Sequence, residues 1–271
     1  MSRWLTKYWY YLRSVWTLLT GLESRFLIIR IFTGLAGPGV KTIRVRRGDV
    51  SFKVRGKMDV WSIKETFLDR FYERYGFVIQ PGWTVLDVGG GIGEFGLFAA
   101  HAEPGTQVFA FEPFPESFAL MRENARLNDV ANVHLFEMAL GAESGTSMLD
   151  LSSGEPLRFQ SQAPADSATT RQIKVAASSL RDALTLIGVV DVDLIKIDCE
   201  GAEYDILFSA DRTVLDRIHR IVMEFHDGVT VYAHTDLVRF LEEAGYVVDT
   251  FPNPVHSSLG YLRATRERQE S

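Results

Sequence analysis

The stretch Trp83-Thr84-Val85-Leu86-Asp87-Val88-Gly89-Gly90-Gly91-Ile92-Gly93-Glu94-Phe95-Gly96 reads as a strand, a glycine turn and the start of a helix. Thr84 to Val88 is short, apolar and β-branched, and Pro81-Gly82 punctuates it upstream, the pattern of a buried strand. Gly89, Gly90, Gly91 and Gly93 strip the turn of side chains, so the backbone can come close to a ligand. The letters FGLFAAHA after Glu94 predict a helix whose first N–H groups converge on that turn. Together these predict the nucleus of a Rossmann-like α/β fold with a site for part of a nucleotide-like molecule.

Two cofactor classes use such a turn. Gly91 to Gly96 satisfies the dinucleotide pattern G-x-G-x-x-G, which predicts NAD and an oxidoreductase. Asp87 favours the other class. A carboxylate two residues ahead of the first glycine would repel a diphosphate, whereas S-adenosylmethionine has no phosphate and offers a positive amino group and sulfonium. The plainer reading of Asp87 is a residue that caps the turn.

Composition sets limits on the rest. The 271 residues have room for one large α/β domain and a small appendage, and 46% hydrophobic content is ordinary for a globular core. The single cysteine, Cys199, excludes an intramolecular disulfide framework and predicts a reducing, cytoplasmic setting. Charge is divided unevenly. Residues 1–57 hold 12 Lys and Arg against 2 Asp and Glu, a formal +10, while the remainder holds 17 against 33, a formal −16.

In the basic segment, Trp4, Tyr8, Tyr11, Val15, Leu18 and Leu22 fall on one helical face, enlarged by Trp9 and Trp16. Arg13, Glu23, Arg25 and Arg30 interrupt it too often for a membrane span. Two readings stand: an interfacial helix in peripheral contact with an anionic membrane, or packing on the main domain or on a second subunit of a homo-oligomer. No nucleic-acid reading motif accompanies the positive charge. Ile43, Val45, Val50, Phe52 and Val54 then alternate with basic and polar residues about Gly48-Asp49, predicting a β-hairpin. Asp59 reads as the N-cap of a helix carrying Ile63, Phe67, Phe71 and Tyr75. The expected division is an appendage over 1–57 and a catalytic domain over 58–271.

Beyond the glycine turn, residues 106–111 predict a second strand ending at Glu112, about 20 residues on, where Rossmann units offer a carboxylate to the ribose hydroxyls. An acid at a helix start before Pro113 is the alternative. Residues 133–137 predict a third strand, and 192–197 a fourth that delivers Asp198, Glu200 and Glu203 past its carboxyl end. A carboxylate there can orient a hydroxyl and take its proton as it attacks a methyl group. Lys196 is expected to pair with one of these acids. A fifth strand over 220–225 ends at His226-Asp227, where His226 is a candidate general base or a turn residue satisfied by backbone. Residues 246–251 and 258–263 complete the sheet as a hairpin.

The runs FEPFPESFALMRENARLND, NVHLFEMALGAESG and DLIKIDCEGAEYDIL resemble the FkbM family of S-adenosylmethionine-dependent methyltransferases, in order from about Asp59 to the last strands. Glu112-Pro113, Asn124, Asn128 and the run Lys196 to Glu203 carry most of the likeness. The resemblance implies a class I, Rossmann-like O-methyltransferase: a mostly parallel seven-stranded sheet with a C-terminal antiparallel hairpin, S-adenosyl-L-methionine as cofactor, no metal, and a hydroxyl of a sugar, glycan or natural product as acceptor. The chain departs from the family where Gly90-Gly91 replaces Ala-Asn and Glu94 replaces an aromatic. Many class I enzymes place an acid after strand three for the adenine amine; here Ala139 stands, and Met138 is expected to pack on the ring.

The expected donor site is thus Asp87, Gly89, Gly91, Gly93, Glu112, Pro113, Met138 and Ala139, and the expected catalytic set is Asp198 and Glu200 first, then Glu203 and His226. An insertion over 141–178, with strand-like ends and a polar middle, predicts a loop over the carboxyl edge of the sheet, and Ser178-Ser179 a cap for the next helix. A methyltransferase fold retained without activity, as a docking protein, is the non-enzymatic alternative.

Overall fold

The computed structural model describes residues 3–150, 158–160, 172–253, 255–256 and 258–267. Its centre is a seven-stranded sheet built on β3 (Thr84–Val88), β4 (Gln107–Phe111), β5 (Val133–Phe136), β10 (Leu194–Ile197), β11 (Arg220–His226), β12 (Val247–Pro252) and β13 (Leu259–Thr265), in the order β12-β13-β11-β10-β3-β4-β5. The pairings from β5 to β11 are parallel, and β13 runs antiparallel between β11 and β12, the expected hairpin. Parallel strands need crossovers that cover both faces, so β3 and β10 are apolar almost throughout and buried. The order reverses between β3 and β10, which leaves a crevice at their carboxyl ends.

Helices α5 (Glu94–Ala102), α6 (Pro115–Leu127), α7 (Leu180–Ile187), α8 (Ala202–Phe208), α9 (Arg212–Leu215) and α10 (His234–Glu243) supply the crossovers. Ser179 caps α7 by accepting from the Asp182 amide. A second, four-stranded sheet joins β6 (Ala139–Gly141), β7 (Gly145–Asp150), β8 (Arg158–Gln160) and β9 (Gln172–Ser179), so the ends of the expected insertion do pair, Leu149 opposite Ile173. Residues 151–157 and 161–171 of that insertion lie outside the described residues.

The N-terminal segment forms α1 (Arg3–Gly21), α2 (Arg25–Phe32) and the hairpin β1 (Lys41–Val45) with β2 (Val50–Val54). Its apolar side merges with the catalytic domain: Leu18, Leu22, Ile43, Phe52 and Val54 share one core with Ile92, Leu97 and Leu120. Two asparagines tie the seam. Asn124 accepts the Lys53 amide at 2.7 Å, and Asn128 accepts the Ser51 amide at 2.8 Å while donating to the Ser51 carbonyl. Residues 18–54 therefore share a core with the α/β body.

One local expectation divides and another fails. Of the face read on α1, Leu18 and Leu22 are buried, whereas Tyr8, Tyr11 and Val15 are exposed, because the helix meets the body along the side marked by Tyr10, which packs on Trp61. The helix after the hairpin, α3 (Lys57–Ile63), is capped by Gly56; Asp59 sits inside its first turn and holds the Arg55 amide and guanidinium. Lys64–Leu68 then widens into a π-turn, and Arg70, with φ +52°, ends the run before α4 (Phe71–Arg74). That interruption aims Tyr72 at the carboxyl end of β10.

Candidate active site

The glycine turn is wired differently from a phosphate cradle. The amides of Gly89 and Gly90 both donate to the Phe111 carbonyl, and that of Gly91 donates to Glu112 at 2.8 Å. The free N–H groups anticipated for the turn are thus largely spent. A carboxylate occupies each side of it instead. Glu112 accepts from Gly91 and from the Phe114 amide, and burial pushes it up to about 7 against those two donors. Glu94 folds back so that a Cβ on Gly91 would stand 3.2 Å from its oxygens, and its Oε2 is buried with no hydrogen-bond partner among the described residues. Burial pushes Glu94 up to about 7 as well, with Lys196 opposing. Two buried acids beside a bare turn suit a cation better than a diphosphate.

Asp87 does not reach this surface. It is fully buried beneath the turn, where Gly90 and Gly96 leave room for it, and Lys196 Nζ lies 3.1 Å away. The direct or water-mediated grip on a donor expected of Asp87 is replaced by an internal ion pair, because the strand end points the carboxylate inward. Lys196 accordingly pairs with Asp87 and the Gly89 carbonyl, at 2.7 Å, rather than with an acid of the next turn. Gly89, with φ +75°, is pressed so close that a Cβ would meet the Asp198 carbonyl oxygen at 1.9 Å. Gly93, also at positive φ, caps α5, and Pro113 follows Glu112 into α6. Met138 is part-buried beyond β5, whereas Ala139 is buried in β6 and paired opposite Ala177.

Across the crevice, the pairing Ile197–Met223 and the register Glu224–Tyr261 place Asp198, Glu224 and Tyr261 in a row over three neighbouring strands. Tyr72 donates to Asp198 at 2.9 Å. Burial, then the charge of Asp198, raises Glu224 well above the carboxylate range, and burial raises Glu65 to about 7 against Lys64. Tyr72, Glu224, Glu65 and Tyr261 had no signal in the sequence reading; only Glu224 stood near a residue singled out there, two positions before His226.

Glu200, Glu203 and His226 form a connected set. Glu203 is fully buried, accepting from the Gly201 amide at 2.7 Å and from both the amide and Nδ1 of His226 at 3.0 and 2.9 Å. Glu200 lies 3.2 Å from Nε2, on a backbone with φ +52°. Strain of that kind in a residue with a Cβ is held only by surrounding contacts. Burial alone would lower His226, but the hydrogen bond and charge of Glu203, then Glu200 and Asp198, take it up to about 10. Carboxylates at both ring nitrogens favour the protonated ring, an arrangement that weighs against the general-base role expected of His226. Glu203, without exposed surface, is a positioning residue rather than a group that meets substrate. Asp198, Glu224 and His226 also bring ligand atoms within 4.8 Å of one another, a spacing that could hold a metal ion once His226 gave up its proton.

Comparison with known proteins decides the family. Residues 87–248 match the methyltransferase FkbM domain. The chain belongs to the FkbM methyltransferase family. A curated relative, the 31-O-demethyl-FK506 methyltransferase FkbM of Streptomyces tacrolimicus, is 29% identical over 243 residues, which cover 80% of this chain and 92% of that protein. The 2-O-methyltransferase NoeI of Sinorhizobium fredii is 27% identical over 161 residues, 55% of this chain and 65% of its own. Among solved structures, a SAM-dependent methyltransferase from Agrobacterium tumefaciens superposes with a TM-score of 0.50 at 13% identity, covering 85% of this chain and 71% of that one. This FkbM-family chain thus has a class I α/β methyltransferase fold.

Proposed function

We propose that the protein transfers a methyl group from S-adenosylmethionine to a hydroxyl oxygen of a sugar, a glycan or another small natural product. The observation that carries this reading is the contact between Gly89 and Asp198: the bare turn that would hold the donor touches the residue that carries the half-buried acid just past β10. Oxygen as the acceptor atom is supported by the two relatives named for O-methyl chemistry.

Bound over the turn, S-adenosylmethionine supplies an electrophilic methyl on a sulfonium. Glu112 at the tip of β4 meets the ribose hydroxyls, with Pro113 beside it and Met138 against the adenine. Glu94 takes the donor's α-ammonium, satisfying its buried Oε2. Asp198, held by Tyr72 through one oxygen, would keep the other for the acceptor hydroxyl, orienting it and taking its proton. Glu200 lines the acceptor side, fixed by the His226 imidazolium, while Glu203 anchors both.

Release of S-adenosylhomocysteine, measured across a panel of sugar and polyketide alcohols, tests the reading. Asp198→Asn should lower turnover about 10²–10⁴-fold and leave S-adenosylhomocysteine affinity within about threefold. Wild-type turnover in Asp198→Asn would remove proton handling from β10, and absence of turnover with every alcohol would favour a fold retained for docking.

A further inference from the structure

Helix α1 carries an apolar face that the described residues leave largely exposed. Tyr8, Trp9, Leu12, Val15 and Trp16 are 55, 59, 47, 54 and 70% exposed. At helical spacing they and Tyr11 fill an arc of about 160°, with Lys7 and Arg13 each about 40° beyond one edge. On the opposite side of the same helix Tyr10 turns to Glu65 and Trp61 and Ser14 is buried against the body. Helix α2, packed on α1, adds Phe26 at 86% exposure and Ile29 beside Arg25 and Arg30. A contiguous exposed patch with two tryptophans and a tyrosine on one helix marks an interaction surface.

Charge selects its occupant. No acid occurs before Glu23, and residues 1–57 carry +10 formally against −16 for the rest of the chain. Lys7, Arg13, Arg25 and Arg47 are exposed and form no ion pair with the described residues. A two-fold interface between copies would set these basic rims against each other. A phospholipid surface with anionic headgroups meets both demands: aromatic side chains sit at the headgroup level, acyl chains take the apolar arc, and the rims meet phosphate. No described helix is long and apolar enough to cross a membrane, so α1 would lie in the plane of the interface.

We infer that α1 and α2 dock the enzyme on an anionic bilayer surface. The buried side of α1 reaches the acceptor side of the crevice, because Tyr10 donates to Glu65 at 3.4 Å and packs on Trp61, so the docked helix is one wall away from Asp198.

The test is cosedimentation of the full chain with phosphatidylcholine vesicles, with and without about 30% phosphatidylglycerol, read also by the blue shift of tryptophan fluorescence. Binding is expected only with the anionic lipid and should weaken with salt. Lys7→Glu/Arg13→Glu should lower partition more than tenfold, since each basic residue near such a surface contributes about fivefold. Trp9→Ser/Trp16→Ser should lose the blue shift, with unchanged circular dichroism and S-adenosylhomocysteine affinity in both variants. Equal binding to neutral vesicles, or none to either, overturns the inference, as does a wild-type dimer that Trp9→Ser/Trp16→Ser dissociates.

Discussion

Glu203 Oε1 lies 2.9 Å from Nδ1 of His226 and accepts the backbone amide of the same residue, so one buried carboxylate fixes both the ring and the end of β11. Because the pKa of His226 is raised from 6.5 to about 10, its contribution to stability is full below about 6.5 and is lost as pH rises through about 10. Glu203→Gln keeps the shape and removes the charge. NMR titration should show His226 moving from about 10 toward its ordinary range, and the decline in stability between neutrality and pH 10 should flatten. An unchanged His226 titration would rule out Glu203 as its main partner.

Glu94 gives the same direction from the opposite cause, since burial favours its neutral form. Its carboxyl is raised from 4.5 to about 7, so its contribution to stability is full below about 4.5 and is lost as pH rises through about 7. Glu94→Gln should therefore stabilise the ligand-free protein at pH 8 by about 1–3 kcal/mol, an effect that fades toward pH 4.5. The same variant should bind S-adenosylhomocysteine about tenfold more weakly, while 5′-methylthioadenosine, which lacks the amino-acid moiety, should bind as to wild type. Calorimetry with both ligands separates the outcomes: equal weakening of the two would place Glu94 at the nucleoside, not the ammonium.

Gly89→Ala probes the contact between turn and strand. Its φ is +75° and its new Cβ would stand 1.9 Å from the Asp198 carbonyl oxygen, backbone that cannot rotate away. A loss of at least about 2 kcal/mol in stability is expected, together with loss of donor binding in whatever fraction folds. Thermal melts and S-adenosylhomocysteine titration read both.

Asn124→Ala probes the seam between the N-terminal segment and the domain. The side chain is fully buried and bonds the Lys53 amide and the Ile92 carbonyl, and its loss leaves buried backbone groups unpaired. A cost of about 2–4 kcal/mol is expected. Since the two parts share a core, wild type should melt in one transition by calorimetry and by tryptophan fluorescence. Separate transitions would mean that residues 1–57 fold on their own.

Much of this was local enough to be written in the sequence. Alternation in β1 and β2, the apolar runs of β3 and β10 and the glycines of the turn predict their elements from neighbours a few residues apart, and the sheet order follows from the class of unit they form. Asp198 past the tip of β10 and Glu112 past the tip of β4, two strands away, were legible for the same reason. Asp87 and His226 were legible as residue types only. Whether an acid faces a ligand or a lysine depends on which way a strand end points, and whether a histidine is a base or a cation depends on what packs on both of its nitrogens.

The sequence alone therefore determined the parallel sheet, the glycine turn and the family, because hydrophobic period and turn chemistry act at short range. Only the tertiary structure decided the electrostatics of the crevice. Tyr72 meets Asp198 across 126 residues, Lys53 meets Asn124 across 71, and Lys196 is turned inward to Asp87. Charges interact through space and burial, and neither is ordered along the chain.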